Sequence, residues 1–283
     1  MSHKLLVATY QDDLQQFEMF CYCLSKNWQG DHRLTVALGK GTSVIQVQRI
    51  VDQHLKDWAV DIQLTAHAYS SGYTEQQVNK ILYSMDSTVD DVIVFDSKDF
   101  LLRSCNIDNF KQNDQYRATF YIPGQRLVEL YPDIEHIVDQ DVSQLPSVIN
   151  LTPWIWKVDQ LNRYWDYINQ RFGNYQSWTE FPAGTEIYGF YVYTWCDEHS
   201  TMQWQQPDHT PLMIGGGWTH QTYQGMLAEA HDFDLWFERK IWKHSRKLED
   251  IRCLDVTKSM LLKYGIEKEI IDRVFCYEEP GKP

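Results

Sequence analysis

Short apolar runs alternate with longer segments of helical periodicity over the first hundred residues. The runs are rich in leucine and β-branched residues, as expected for buried strands, and they cover His3–Thr9, Arg33–Leu38, Asp61–His67 and Val92–Phe95. Between the runs, apolar residues recur every three or four positions, as on one face of a helix. This βα alternation predicts an α/β fold with a mainly parallel sheet flanked by helices.

Polar residues and glycines mark the predicted helix ends. Asp12 or Asp13 could cap the first helix, and Gly30 would stop it. Thr74 has the side chain of an N-cap, and Glu75 follows in the first turn, where the helix dipole favours an acid.

The alternation is lost after residue 103. The pattern predicts a helix over Trp154–Phe172 and short strands at Thr119–Ile122, Leu127–Leu130 and Val148–Leu151. Tryptophan is uneven along the chain, with two residues before position 150 and nine after it. Because no linker separates the halves, we expect one domain over residues 1–283, built from residues 1–105 and an aromatic-rich half, 106–283.

Composition and charge argue against several classes of partner. The 283 residues carry a formal net charge of −13, which disfavours a surface for nucleic acid or anionic membrane spread over the whole molecule. No apolar run approaches the roughly 20 residues that span a bilayer. The six cysteines are scattered without a CxxC pair, so we expect reduced thiols and a cytoplasmic protein.

The most informative stretch is Asp90–Arg103, where a buried strand ends in Asp96-Ser97-Lys98-Asp99. Charged groups at the carboxyl end of a parallel strand lie where α/β folds bind their ligands. The alternative is a plain acidic turn. Neither GxGxxG nor GxxxxGK[ST] occurs, and Gly39-Lys40-Gly41 is better explained as a turn, so dinucleotide and P-loop folds are disfavoured.

Four segments in a fixed order carry a family resemblance. They are Gly72-Tyr73-Thr74-Glu75-Gln76-Gln77-Val78-Asn79-Lys80, Asp96-Ser97-Lys98, Leu151-Thr152-Pro153 and Thr185-Glu186-Ile187-Tyr188-Gly189. Together they resemble a poorly characterised family of GT-A-type glycosyltransferase-like proteins from bacteria and their phages, over roughly residues 1–265. The resemblance implies a GT-A-like fold in which residues 1–105 bind a nucleotide-sugar and residues 106–283 bind the acceptor. It also implies sugar transfer from that donor, expected to be a UDP-sugar, to a glycan or other hydroxyl acceptor.

Candidate donor-binding residues follow from this resemblance. Thr9 and Tyr10 would contact the nucleoside, and Gln77 and Lys80 lie on the helix that leads into the central strand. Gln77 could hydrogen-bond the Asp96 turn, a structural role. Asp96, Ser97 and Lys98 would meet the diphosphate. Lys240 shares a helical face with Lys243 and Lys247 and could receive the diphosphate, although a solvated charged face is the simpler explanation of these lysines.

A divalent cation is one of two ways to neutralise the negative charge of the diphosphate. Mg²⁺ or Mn²⁺ would use the carboxylates of Asp96 and Asp99, because hard cations take carboxylate and phosphate oxygens. However, the DxD motif of GT-A enzymes has an acid at the position of Lys98, and lysine could replace part of the charge of the metal, so metal independence is the alternative. On an extended chain Asp99 would point away from Asp96 unless the turn redirects it.

Glu186 is the candidate general base that activates the acceptor hydroxyl. It lies among apolar residues, where burial would raise its pKa toward a useful range. Asp197 and Glu198 are the next candidates. A zinc site at Cys196, His199 and His209 is disfavoured because the spacing matches no zinc signature. Two other functions stay open: an inactive binder of nucleotide-sugar or glycan, and a structural or host-interaction protein that reuses the fold.

Overall fold

The computed structural model describes the N-terminal third almost completely and the rest in segments. The described residues are 2–65, 72–85, 88–97, 99–102, 104–112, 115–118, 124–130, 132–139, 141–144, 154–173, 189–190, 193, 202–204, 213–214, 258–259, 261–263 and 265–274.

Three βα units followed by a fourth strand form the N-terminal part. The strands are β1 (His3–Thr9), β2 (Arg33–Leu38), β3 (Ala59–Leu64) and β4 (Asp91–Asp96). A short 3₁₀ turn, Gln11–Asp13, precedes the first helix, and the helices are α1 (Leu14–Asn27), α2 (Val44–His54) and α3 (Gly72–Met85). The predicted bounds of β1 and β2 are confirmed, because their apolar runs coincide with the paired residues.

Shorter elements follow β4. They are β5 (Phe100–Leu101), β6 (Lys111–Gln112), β7 (Gln115–Ala118), α4 (Gly124–Leu130), α5 (Ile134–Val138), β8 (Trp154–Lys157), α6 (Val158–Phe172), β9 (Met202–Trp204), β10 (Met213–Ile214) and α7 (Lys268–Val274), with further 3₁₀ turns at Ile107–Phe110 and Val142–Gln144. Strand β5 pairs with β10, and β7 pairs with both β6 and β9.

The main sheet has the strand order β3-β2-β1-β4-β8. The first four strands are parallel, and β8 pairs antiparallel with β4. The mainly parallel α/β architecture is thus confirmed. Strand β1 is the central strand of this sheet, and its carboxyl end lies between the carboxyl ends of β2 and β4.

Two hydrophobic clusters cover the two faces of the sheet. On β4, Ile93 and Phe95 pack with α1, α2 and α7, whereas Val92 and Val94 pack with α3, α4 and α6. The alternation along the strand assigns successive side chains to opposite clusters. Both faces are therefore buried, which is why β4 is continuously apolar between Asp91 and Asp96.

Several predicted elements differ from the structure. The predicted helix over Trp154–Phe172 begins as strand β8 and becomes helical only at Val158, because the buried indoles of this segment pack where it pairs with β4. The predicted strand at Leu127–Leu130 is part of α4, since four residues are too few to distinguish the two periods. The third strand is Ala59–Leu64 and ends three residues before His67.

Two predicted helix ends are also wrong. Helix α1 ends at Asn27, and the Trp28 amide donates to the carbonyl of Leu24, so Gly30 does not stop it. Instead, a Cβ at Gly30 would lie 2.8 Å from the Trp28 indole, so this glycine makes room for the ring. Helix α3 begins at Gly72, and Thr74 therefore lies inside it rather than at its cap.

Three described cysteines lie in the core. Cys21, Cys23 and Cys105 are free thiols and are buried. Burial raises the pKa of all three thiols, in the case of Cys105 to about 12. They are thus inert structural residues. In the part of the chain that the structure describes, no helix has the length and apolarity needed to cross a membrane.

Candidate functional site

The candidate site lies at the carboxyl edge of the main sheet. The register places Asp96, the last residue of β4, beside Ala8 of β1, and Thr9 beside Leu38 of β2. Tyr10 and Gly39 continue the chain beyond the ends of β1 and β2. The sheet therefore brings the predicted nucleoside residues next to the predicted diphosphate residue, as parallel strands do at such an edge.

Asp96 is held by two side chains from α3. The Lys80 ammonium donates to Asp96 Oδ1 at 2.5 Å, and the Gln76 amide donates to the same oxygen at 3.4 Å. Gln76 and Lys80 are four residues apart and so lie on one face of the helix. It is Gln76, rather than Gln77, that reaches the Asp96 side chain.

The ammonium of Lys80 is enclosed. The Lys80 side chain is 1% exposed, whereas that of Asp96 is 14% exposed. Trp154 of β8 covers the other side of the ammonium, with Lys80 Nζ 4.5 Å from the ring centroid. A carboxylate and an aromatic face together compensate the cost of burying the cation. Strand β8 thus contributes directly to the candidate site.

Asp99 is turned back onto the strand end. Its Oδ2 accepts the amide of Asp96 at 2.7 Å, and its own amide donates to the carbonyl of Asp96 at 3.0 Å. The turn buries Asp99 completely. The turn therefore redirects the Asp99 side chain, which on an extended chain would point away from Asp96. However, it directs the carboxylate toward the backbone amide of Asp96 and away from solvent.

Tyr10 interlocks with the turn after β2. A Cβ at Gly39 would lie 2.1 Å from two atoms of the Tyr10 ring, so the ring lies directly against the backbone of this glycine. The Gly39 amide donates to the carbonyl of Thr9 at 2.9 Å. Gly41 has φ of +82°, which favours glycine in this turn. The turn predicted for Gly39–Gly41 is confirmed, and it also supports a half-buried tyrosine.

Glu75 connects this turn to α3. Its Oε1 accepts the amide of Lys40 at 2.7 Å, and the side chain is 5% exposed. The neighbouring residue Gln76 contacts Asp96, so one turn of α3 touches both ends of the candidate site. The sequence does not predict Glu75, Gln76 or Trp154 as site residues, and it marks Glu75 only as an acid in the first turn of the helix. The i, i+4 spacing of Gln76 from Lys80 is a signal that could have identified Gln76.

The other described candidates are buried. Thr9 is fully buried, and its side-chain hydroxyl has no hydrogen-bond partner in the described structure. Ser97 and Gln77 are 3% and 4% exposed. Among these predicted residues, only Tyr10 and Asp96 present part of their surface to solvent. A direct contact of Thr9, Gln77 or Ser97 with a ligand stays a prediction.

Three predicted residues lie outside the described part of the chain. They are Lys98, Glu186 and Lys240. The alternative bases Asp197 and Glu198 and the disfavoured zinc candidates around Cys196 lie outside it as well. Their roles stay predictions from the sequence.

The described side chains fit a divalent cation only in part. No group of three or more His, Cys, Asp or Glu residues that could hold a metal ion occurs within the described ranges. Asp96 could contribute a carboxylate oxygen, but Asp99 would first have to release the Asp96 amide. Mg²⁺ commonly takes one or two carboxylates plus phosphate oxygens, so this set suits a cation that arrives with a diphosphate.

Comparison with solved structures identifies the architecture. The bifunctional glycosyltransferase WbbM matches with a TM-score of 0.55 and 11% identity, over 96% of this chain and 51% of the WbbM chain. The chain thus spans about half the length of WbbM. The galactosyltransferase LgtC, in complex with donor and acceptor sugar analogues, matches with a TM-score of 0.52 and 8% identity, over 90% and 95% of the two chains.

A third match comes from mouse. Xyloside xylosyltransferase 1 has a TM-score of 0.50 and 10% identity, over 84% of this chain and 98% of the other. The chain has the fold of the GT-A-type glycosyltransferases. No protein-family model and no curated protein sequence matches it. At these identities the similarity shows the fold and identifies neither a donor nor an acceptor.

Proposed function

We propose that the protein is a glycosyltransferase that moves a sugar from a nucleotide-sugar donor to a hydroxyl acceptor. The observation that carries the proposal is the position of Asp96: it ends the fourth strand of a GT-A fold, at the carboxyl edge, beside the end of β1. The carboxyl edge is where open α/β sheets bind ligands. The matching galactosyltransferase LgtC was solved with donor and acceptor sugar analogues.

The proposed donor site has a nucleoside end and a diphosphate end. Tyr10, supported by Gly39, would stack on the base, and the backbone around Thr9 would position the ribose. Asp96 and Ser97 would lie at the diphosphate, with Lys98 and Lys240 as proposed cations. A UDP-sugar is the first donor to test.

A divalent cation, Mg²⁺ or Mn²⁺, would be held by Asp96 together with phosphate oxygens. When bound, it would supply positive charge to the leaving diphosphate. Because Lys80 already pairs with Asp96 at 2.5 Å, we expect little metal affinity before the nucleotide binds. If Lys98 supplies this charge instead, turnover will persist in EDTA.

On the acceptor side, Glu186 is the proposed general base. An inverting transfer needs such a base to take the proton of the acceptor hydroxyl. The aromatic residues of the second half would form apolar walls and stacking surfaces for sugar rings. Trp154 and Trp156 are exceptions, since both are buried and stack on each other with centroids 5.8 Å apart.

A thermal-shift screen with UDP, GDP, CDP and ADP, with and without Mn²⁺, tests binding. A bound nucleotide raises the unfolding temperature because it stabilises the folded state by RT ln(1 + [L]/Kd). Hydrolysis of the matching nucleotide-sugar then measures turnover. We expect Asp96→Ala to abolish turnover and Asp57→Ala, an exposed control at a turn, to leave it unchanged. Turnover by Asp96→Ala at the wild-type rate would contradict the proposal.

An inactive nucleotide-sugar or glycan binder is the second candidate. The burial of Asp99 favours it, because a second acid at this strand end is not exposed to a metal. Binding without hydrolysis or transfer would identify such a protein. Failure to bind any of the four nucleotides would instead favour a structural or host-interaction role.

A further inference from the structure

The turn after β2 is fixed from several sides. The Gly39 amide donates to Thr9 of β1, and the Gly39 carbonyl accepts both the amide and the hydroxyl of Thr42 at 3.1 and 2.6 Å. These contacts hold the two ends of the turn. The amide of Lys40, at its tip, donates to Glu75 of α3 at 2.7 Å. Glu75 thus ties the tip of the turn to a different layer of the fold.

The hydrogen bond between the Lys40 amide and Glu75 is stronger than an ordinary hydrogen bond between backbone groups in a turn. The acceptor is a carboxylate at a buried position, and hydrogen bonds to ionised acceptors are roughly twice as strong as neutral ones. Glu75 also lies in the first turn of α3, where the helix dipole favours a negative charge. The Glu75 carboxylate is therefore held at the start of α3, and its hydrogen bond holds the Lys40 amide there.

The position of the turn determines the position of Tyr10. The ring lies so close to Gly39 that a single methyl group there would overlap it. A shift of the turn toward the ring would displace it, and a shift away would leave it unsupported. Since Gln76, the next residue of α3, contacts Asp96, the same helix turn sets the spacing between the two ends of the site.

We propose that Glu75 is a positioning residue that holds the Gly39–Gly41 turn against Tyr10 and so sets the affinity for the nucleoside end of the donor. This inference rests on the proposed function. Glu75 itself does not contact the nucleotide in this scheme. Its charge strengthens the bond to Lys40, but an amide oxygen in the same place can also accept that bond.

A double-mutant cycle between positions 75 and 10 tests the inference. Isothermal titration with UDP, GDP, CDP and ADP identifies the nucleotide that the wild type binds. For that nucleotide we expect Glu75→Ala to raise Kd by about tenfold, the effect of losing one hydrogen bond to a charged group. In the Tyr10→Ala background, Glu75→Ala should change Kd by less than about twofold, because the turn then has no ring to position.

Two further measurements separate positioning from other roles. Glu75→Gln should retain most of the affinity, whereas a role as a charged ligand would make it as weak as Glu75→Ala. Hydrogen exchange at the Lys40 amide should be faster in Glu75→Ala, without any nucleotide. The exposed residue Glu269 provides the matched control, and Glu269→Ala should alter neither quantity. If Glu75→Ala does not fold, the milder rise in Kd of Glu75→Gln, and its loss in the Tyr10→Ala background, decide the question.

The outcomes distinguish the two proposals. Additive effects of the substitutions at positions 75 and 10, or unchanged exchange at Lys40, would overturn the role of Glu75 while leaving the glycosyltransferase proposal intact. A wild type that binds none of the four nucleotides would overturn the proposed function and the role of Glu75 with it.

Discussion

Replacing Lys80 by methionine tests whether the buried ion pair organises the carboxyl edge. Methionine keeps much of the length and volume of the lysine side chain but removes the ammonium. In the wild type this ammonium lies 2.5 Å from Asp96 Oδ1 and 4.5 Å from the centroid of the Trp154 ring. The substitution therefore leaves the packing nearly unchanged and removes both contacts at once.

The burial of the two partners sets the magnitude. Removing one member of a buried pair typically costs about 3–5 kcal/mol, because the other charge is left uncompensated. Lys80→Met leaves the Asp96 carboxylate, whose 14% exposure allows some hydration, so we expect about 3 kcal/mol. Asp96→Asn leaves an ammonium that is 1% exposed, and we expect a loss nearer the upper end. The double variant should lose about 2 kcal/mol less than the sum of the single losses.

Urea unfolding followed by circular dichroism measures these free energies. Lys268→Met is the matched control, since Lys268 Nζ lies 2.6 Å from Asp272 Oδ2 but both side chains are more than half exposed. We expect no measurable change in the free energy of unfolding for this variant. A Lys80→Met variant within about 0.5 kcal/mol of the wild type would refute the inference that the pair is a buried structural contact. Strict additivity of the two substitutions would refute the coupling.

Two further substitutions test other contacts. Gly39→Ala should displace the Tyr10 ring and weaken nucleotide binding, because the added Cβ would lie 2.1 Å from atoms of that ring. In a Tyr10→Ala background, the same substitution should have no further effect on Kd. An unchanged Kd for Gly39→Ala alone would contradict the contact. A hydrogen bond from His54, aided by the charge of Arg273, lowers the pKa of Glu18 below its ordinary value of 4.5. The ionised Glu18 therefore stabilises the fold above pH 4.5, and this stabilisation is lost as the pH falls through the lower pKa of the folded state. Glu18→Gln should flatten the pH dependence of the unfolding temperature below pH 4.5, and an equally steep dependence in both proteins would exclude this role.

The N-terminal sheet could be predicted because its information is local. The apolar runs of β1 and β2 are bounded by polar residues and flanked by helical patterns, so their bounds in the structure are those that the pattern predicts. Strand β8 could not be predicted in this way. Its four residues, Trp154–Lys157, run directly into helix α6, and only pairing with β4, some sixty positions earlier, makes them a strand. A pattern read along the chain contains no information about such a partner.

In the candidate site, too, the local sequence predicts some features, whereas others depend on contacts between distant parts of the chain. Asp96 could be predicted because its position at the end of an apolar strand is local, and Lys80 because it belongs to a family-like segment. The contact between them depends on which face of α3 lies toward β4, and Trp154 joins them only through β8. From the sequence, Lys98 takes the place of the second acid of a DxD motif, and Asp99 is the second candidate carboxylate; in the structure, Asp96 pairs with the buried Lys80 and Asp99 is turned into the backbone. Such an edge repels a diphosphate less than two free carboxylates would, so the proposed donor could bind without a metal ion to neutralise the site.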